Sequence, residues 1–180
     1  MIRSYRAALL ALLLLFAAHL RPCCWVSVEG ERLTGRYSLA QVRAACEAAS
    51  QAAEELLPGE ALLPRPRTAL RLSLRCPDGE TAALTDALLR RVEGVTEADM
   101  VRVNGGSLGT VADGSALLEE LRETIRSGMP AGAVVGKLSG RLQIHPVYTR
   151  EGFPRESADM LASILEAAPA FYVDGSGKLA

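Results

Sequence analysis

Histidine is nearly absent from this sequence. Of the two among 180 residues, His19 falls in an N-terminal apolar stretch, leaving His145 as the one imidazole in the rest of the chain. One histidine cannot furnish a multi-ligand metal centre, and the common hydrolytic routes lose their usual base. Cysteine is also sparse: Cys23, Cys24, Cys46 and Cys76 form no C-x-x-C pair and no Cys/His cluster, so no zinc site is expected. Aromatics make up 4% of the chain and the formal net charge is −1. Without residues 1–24 the chain loses Arg3, Arg6 and Arg21 but none of its 21 acids. A mildly acidic chain with few stacking rings lacks the footprint of a nucleic-acid binder. Neither cofactor nor metal ligands are expected.

Long hydrophobic runs are missing as well, with one exception. Arg3 and Arg6 precede an unbroken apolar run from Ala7 to Ala18, which His19 interrupts and Arg21-Pro22 closes. A basic flank, a short apolar stretch and a breaker make the pattern of a secretory signal. The run is well short of the roughly 20 residues that cross a bilayer. No Ala-x-Ala site or lipoprotein box stands at its end, so residues 1–24 are expected to be either a cleaved signal peptide or a short membrane anchor. Membrane contact is expected only through this segment. Cys23 and Cys24 fall inside it and would leave if it were cleaved behind them.

Beyond the signal segment the chain repeats itself. Val26-Ser27-Val28-Glu29-Gly30-Glu31-Arg32-Leu33 aligns with Val101-Arg102-Val103-Asn104-Gly105-Gly106-Ser107-Leu108. Both blocks read as β-hairpins, Asn104-Gly105 being the stronger turn because both positions take positive φ cheaply. Each hairpin feeds a helix. The first opens on a Ser38-x-x-Gln41 capping box and runs to about Leu57; the second, capped by Asp113 or Ser115, carries Leu117, Leu118, Leu121 and Ile125 on one side. After a break, each unit adds a strand (Leu70–Arg75; Leu142–Tyr148, on an edge or at a bulge by its Pro146) and a second helix (about Thr81–Val92; Ser157–Ala167). Cys46 on the first helix, with Leu39, Val42, Ala49 and Ala53, and Cys76 on the face of Leu70, Leu72 and Leu74, both point to a core. They read as two buried free thiols, or as a disulfide if the chain is exported.

The fold class expected is therefore α+β: two tandem ββαβα repeats, 25–95 and 96–169. Residues 170–180 open a third hairpin that has no helix of its own, with Asp174-Gly175 at its turn. Ala170–Asp174 should pair with a strand of the second unit, and amides beyond Gly175 should exchange fast.

Several motifs suggest chemistry. Gly105-Gly106-Ser107-Leu108-Gly109 fits Gly-x-Ser-x-Gly, but a nucleophile elbow needs a helix at once and here Thr110-Val111 continues the strand. Gly132–Lys137 is one residue short of a phosphate loop and is followed by Leu138. Gly175-Ser176-Gly177-Lys178 has no leading glycine and no following helix. No catalytic, cofactor-binding or metal residues are assigned.

The second unit also resembles a known region. Val103-Asn104-Gly105, Leu108-Gly109-Thr110-Val111-Ala112-Asp113, Ser139-Gly140-Arg141-Leu142-Gln143-Ile144, Pro146-Val147-Tyr148 and then Tyr172-Val173-Asp174-Gly175 resemble the non-catalytic N-terminal repeats of secreted clostridial cell-wall proteins. In that family a lysostaphin-type zinc endopeptidase follows at the C-terminus. The resemblance covers most of residues 25–180, and no catalytic residue carries over from it. It implies a spacer or binding region linked to peptidoglycan remodelling, with a wall polymer or an envelope protein as partner. Two alternatives stand beside it: a small secreted serine hydrolase using Ser107 with His145, and a membrane-tethered sensor or assembly factor.

Overall fold

The computed structural model describes residues 14–15, 20–74 and 77–179. It is a mixed α+β fold, as the periodicity predicts, in two compact units that divide between Glu93 and Gly94.

In the first unit, β1 (Arg21–Val28) and β2 (Glu31–Arg32) form a tight hairpin across Glu29-Gly30. Glu29 and Gly30 both sit at positive φ, 52° and 90°, the geometry whose twist matches flanking strands. Helix α1 (Leu39–Leu56) starts on the expected capping box: Gln41 N–H donates to Ser38 Oγ and Ser38 N–H to Gln41 Oε1. β3 (Arg67–Ser73) then returns antiparallel to β1, giving the order β2-β1-β3, and α2 (Thr81–Leu89) packs on α1. One face of β1 places Cys24, Val26 and Val28 in the core; α1 contributes Val42, Ala45, Ala49 and Ala53, and α2 contributes Leu84 and Leu88. Small alanines along α1 let a neighbouring helix approach closely.

β1 begins at Arg21, within residues assigned to the signal or anchor segment, and Cys23 and Cys24 are buried in the strand. Two core faces differ from expectation. Alternation put Leu70, Leu72 and Leu74 on a core face, yet they are 61%, 64% and 57% exposed. Leu70 and Leu72 do lie opposite Cys24 and Pro22 on one face, but β3 is an edge strand and neither helix covers its outer margin. On α1 the buried stripe runs through Ala45 rather than Cys46, leaving Leu39 exposed and Cys46 half-buried. The Cys46 thiol is free, and burial followed by the nearby Glu47 charge raises its pKa. Cys76 lies outside the described residues.

In the second unit, β4 (Val95–Val103) and β5 (Gly106–Val111) make the matching hairpin across Asn104-Gly105, again at positive φ (52° and 85°). Asp113 caps α3 (Gly114–Ser127), accepting from Ser115 N at 2.9 Å and Ala116 N at 3.0 Å. β7 (Leu142–Arg150) pairs along the whole of β4, giving β5-β4-β7 with Pro146 on the edge strand. α4 (Ser157–Ala167) adds Met160 and Ile164 to a core of Val101, Val103, Val111, Leu117 and Leu121.

This unit carries a strand that ββαβα lacks. β6 (Ala133–Leu138), read from sequence as a glycine break, pairs antiparallel with β8 (Ala170–Asp174) in a separate two-stranded sheet. The pairing of Ala170–Asp174 within the second unit follows the expectation. Beyond it Gly175–Lys178 closes a turn on Asp174, and Leu179 bridges back to Val173.

Candidate functional site

Ser107, the nucleophile of the serine-hydrolase alternative, stands within a strand. Ser107 is the second residue of β5, and α3 begins only at Gly114, so no helix N-terminus supports an oxyanion at the serine. Its hydroxyl donates to Met100 Sδ at 3.0 Å. His145, on β7, pairs with that same Met100. β4 thus separates the two groups, putting their backbones about 10 Å apart across two strand spacings. A serine and its base must lie within hydrogen-bond reach, and this pair does not.

The glycine stretches are likewise committed elsewhere. Gly136 and Lys137 belong to β6. In the turn after β8, the Asp174 carboxylate accepts from Ser176 N, Lys178 N and Ser176 Oγ. The Ser176 hydroxyl, then the Lys178 and Ser176 amides, hold this carboxyl below the ordinary carboxylate range. Donors that would cradle a phosphate already hold Asp174. Among the described residues no group of three or more His, Cys, Asp or Glu side chains could hold a metal ion.

A different feature carries the site. β1 alternates, so while Cys24, Val26 and Val28 face the core, Trp25 and Ser27 face outward and are half-buried. Trp25, the chain's single tryptophan, lies opposite Ala69, and Ser27 lies between Arg32 on β2 and Arg67 on β3. The hairpin brings the Arg32 guanidinium over the indole, 3.0 Å from the ring centroid. Such a cation–π contact contributes about 0.5–1 kcal/mol at an exposed site. Trp25, Ser27, Arg32, Arg67 and Thr68 line a shallow groove of about 330 Å³. Among the described residues neither Arg32 nor Arg67 forms an ion pair; Arg32 is stacked on the indole and Arg67 is exposed beside it. Trp25 is half-buried, with the Arg32 guanidinium over one face of its ring and the small Ala69 side chain opposite it.

Sequence reasoning passed over these residues. A lone tryptophan at the odd positions of a strand whose even positions are Cys and Val, followed by a turn and an arginine, was the available signal.

Close to this face the hairpin is fixed to the helices. Arg91 pairs with Glu31 and lies 3.9 Å from Glu29, while its other guanidinium nitrogen donates to the Ala87 carbonyl at 2.7 Å. At the other end, Arg36 grips Asp78: its backbone N–H donates to Oδ1 at 2.8 Å, its Nε at 3.3 Å, and a terminal nitrogen pairs with Oδ2. The Arg36 hydrogen bonds hold the Asp78 carboxyl down to about 2.

No family model, curated protein or solved structure matches this chain.

Proposed function

We propose that this chain is an exported, non-enzymatic module of the cell envelope, a spacer or binding region associated with peptidoglycan remodelling, and that it takes hold of a wall polymer on the outer face of β1. What carries this reading is the half-exposed Trp25 stacked with Arg32 and flanked by Arg67. An indole offers a flat apolar platform to a sugar ring, and guanidiniums pair bidentately with carboxylate or phosphodiester groups. Anionic wall glycans present both. The matched order of hairpin, helix, strand and helix in the two units supports the tandem-repeat reading, β6 being an addition in the second.

Purified peptidoglycan sacculi, with and without their anionic polymers, test the proposal. The chain should be retained, and Trp25→Ala with Arg67→Glu should lower retention about tenfold while the fold survives. Retention by neither preparation removes the binding role and leaves a spacer. The serine-hydrolase alternative finds no support in the separation of Ser107 from His145, and a fluorophosphonate probe should leave Ser107 unlabelled. A tethered form is favoured by a different observation: β1 begins at Arg21, three residues after the apolar run ends at Ala18.

A further inference from the structure

The exposed leucines of β3, Leu70 and Leu72, and Leu74 just after it lie beside the start of β1. Arg21, the first residue of β1, pairs with Ser73, and Pro22 pairs with Leu72. In sequence the apolar run Ala7–Ala18 ends three residues before Arg21, whose partner Ser73 lies between Leu72 and Leu74. The Leu70, Leu72 and Leu74 side chains are all more than half exposed. A row of apolar residues along an open sheet edge is a liability in a protein bathed by water on all sides.

Charge separates this edge from the rest of the molecule. β1 and β3 together carry Arg21, Arg67 and Arg71 and no acid. The first acid of the chain is Glu29, and the stretch from Ala61 to Pro77 contains four arginines without an Asp or Glu, although the chain as a whole is slightly acidic. Among the described residues Arg21 and Arg71 have no carboxylate partner. Arg71 alternates with Leu70 and Leu72, so a basic row and an apolar row run along the two sides of one edge strand. A strand lying with this edge on a bilayer can bury leucines at the headgroup boundary while its arginines reach phosphates.

We infer that the Leu70–Leu74 edge of β3 rests on the surface of an anionic phospholipid bilayer, beside the point where the N-terminal apolar segment enters it. The inference rests on the reading that this segment stays attached. A short apolar chain alone gives only reversible binding, and stable attachment takes a second signal such as a basic, apolar patch. The β3 edge is that second signal. It also orients the first unit: Arg67 and Arg32 lie about 17 Å along the strands from Leu72, and Trp25, opposite Ala69, lies about 10 Å from it.

The test uses the full chain with Leu72→Trp as reporter, the parent chain giving the Trp25 background. Vesicles of phosphatidylcholine, with and without phosphatidylglycerol, carry bromine on their acyl chains. The reporter should be quenched at least twofold more in the anionic vesicles than in the neutral ones, and Arg21→Glu with Arg71→Glu should abolish the difference. Should the chain bind vesicles while position 72 stays as open to acrylamide as in buffer, the edge contact is overturned and the tether survives. Failure to bind vesicles at all overturns both. Protection of position 72 without lipid, growing with protein concentration, would mean that a second copy covers the edge, which also overturns the inference.

Discussion

Gly79→Ala should destabilise the first unit although nothing about its backbone forbids alanine. Gly79 is buried, its φ is not in the left-handed region, and a Cβ added there would sit 2.6 Å from Tyr37 Cζ and 2.7 Å from Cδ1, with Cε1 nearer still. Ordinary carbon contacts begin near 3.4 Å, so something must move by most of an ångström. Neither side has room. Tyr37 is 1% exposed, its hydroxyl donates to Thr34 O at 3.0 Å, and its backbone exchanges two hydrogen bonds with Cys24. Gly79 is held from the other direction: its N–H donates to Arg36 O at 2.9 Å and its carbonyl accepts from Gln41 Nε2 at 3.0 Å. Overpacking of this kind costs about 1–3 kcal/mol, which for a unit of this size lowers the melting temperature by roughly 4–8 °C per kcal/mol. Trp25, the chain's single tryptophan, reports the unfolding of the first unit alone in a urea titration followed by fluorescence. If Tyr37→Leu does not relieve the cost of Gly79→Ala, or if Gly79→Ala alone is neutral, the packing argument is wrong.

Two more outcomes follow from the same geometry. Asp78 has a folded pKa of about 2 against an ordinary 3.8, so its contribution is complete above about pH 4 and disappears as pH falls through 2. The urea midpoint read from Trp25 should drop across that window, and Asp78→Asn should flatten that part of the profile. Asp113→Ala removes the cap of α3 and should cost about 1 kcal/mol, visible by hydrogen exchange as faster amides at Ser115 and Ala116.

What could be seen in the sequence was local. Ser38 and Gln41 announce α1 because a capping box satisfies two helix-end donors within four residues, and Asn104-Gly105 announces its turn because few other pairs take positive φ at both positions. Ser157–Ala167 appears in the structure with the bounds that its spacing gives. What failed depended on distant chain. Alternation tells which face Leu70 and Leu72 share, and is silent on whether anything covers that face. β6 was hidden because its Gly136 lies under the Tyr172 ring and beside Ile125, a close approach that only the partner strand explains. The start of β1 at Arg21 was masked by the stronger signal of the apolar run before it. The site was the least legible part, since Trp25 gains its meaning only when the hairpin sets Arg32 over it.

The Asn104-Gly105 turn has a consequence for how the chain ages. Asparagine followed by glycine is the pair most prone to lose its side-chain amide, because the next backbone nitrogen can attack the amide carbon. In the fold, Asn104 Oδ1 accepts from Arg141 N at 2.9 Å and the Asn104 N–H donates to Arg141 O at 2.9 Å. Those bonds hold the amide away from its attacker for as long as β7 stays docked. The same dipeptide that shapes the second hairpin is therefore restrained in the folded chain and free to cyclise in the unfolded one. Time spent unfolded would be recorded there as an added negative charge, carried either on an aspartate or on an isoaspartyl kink.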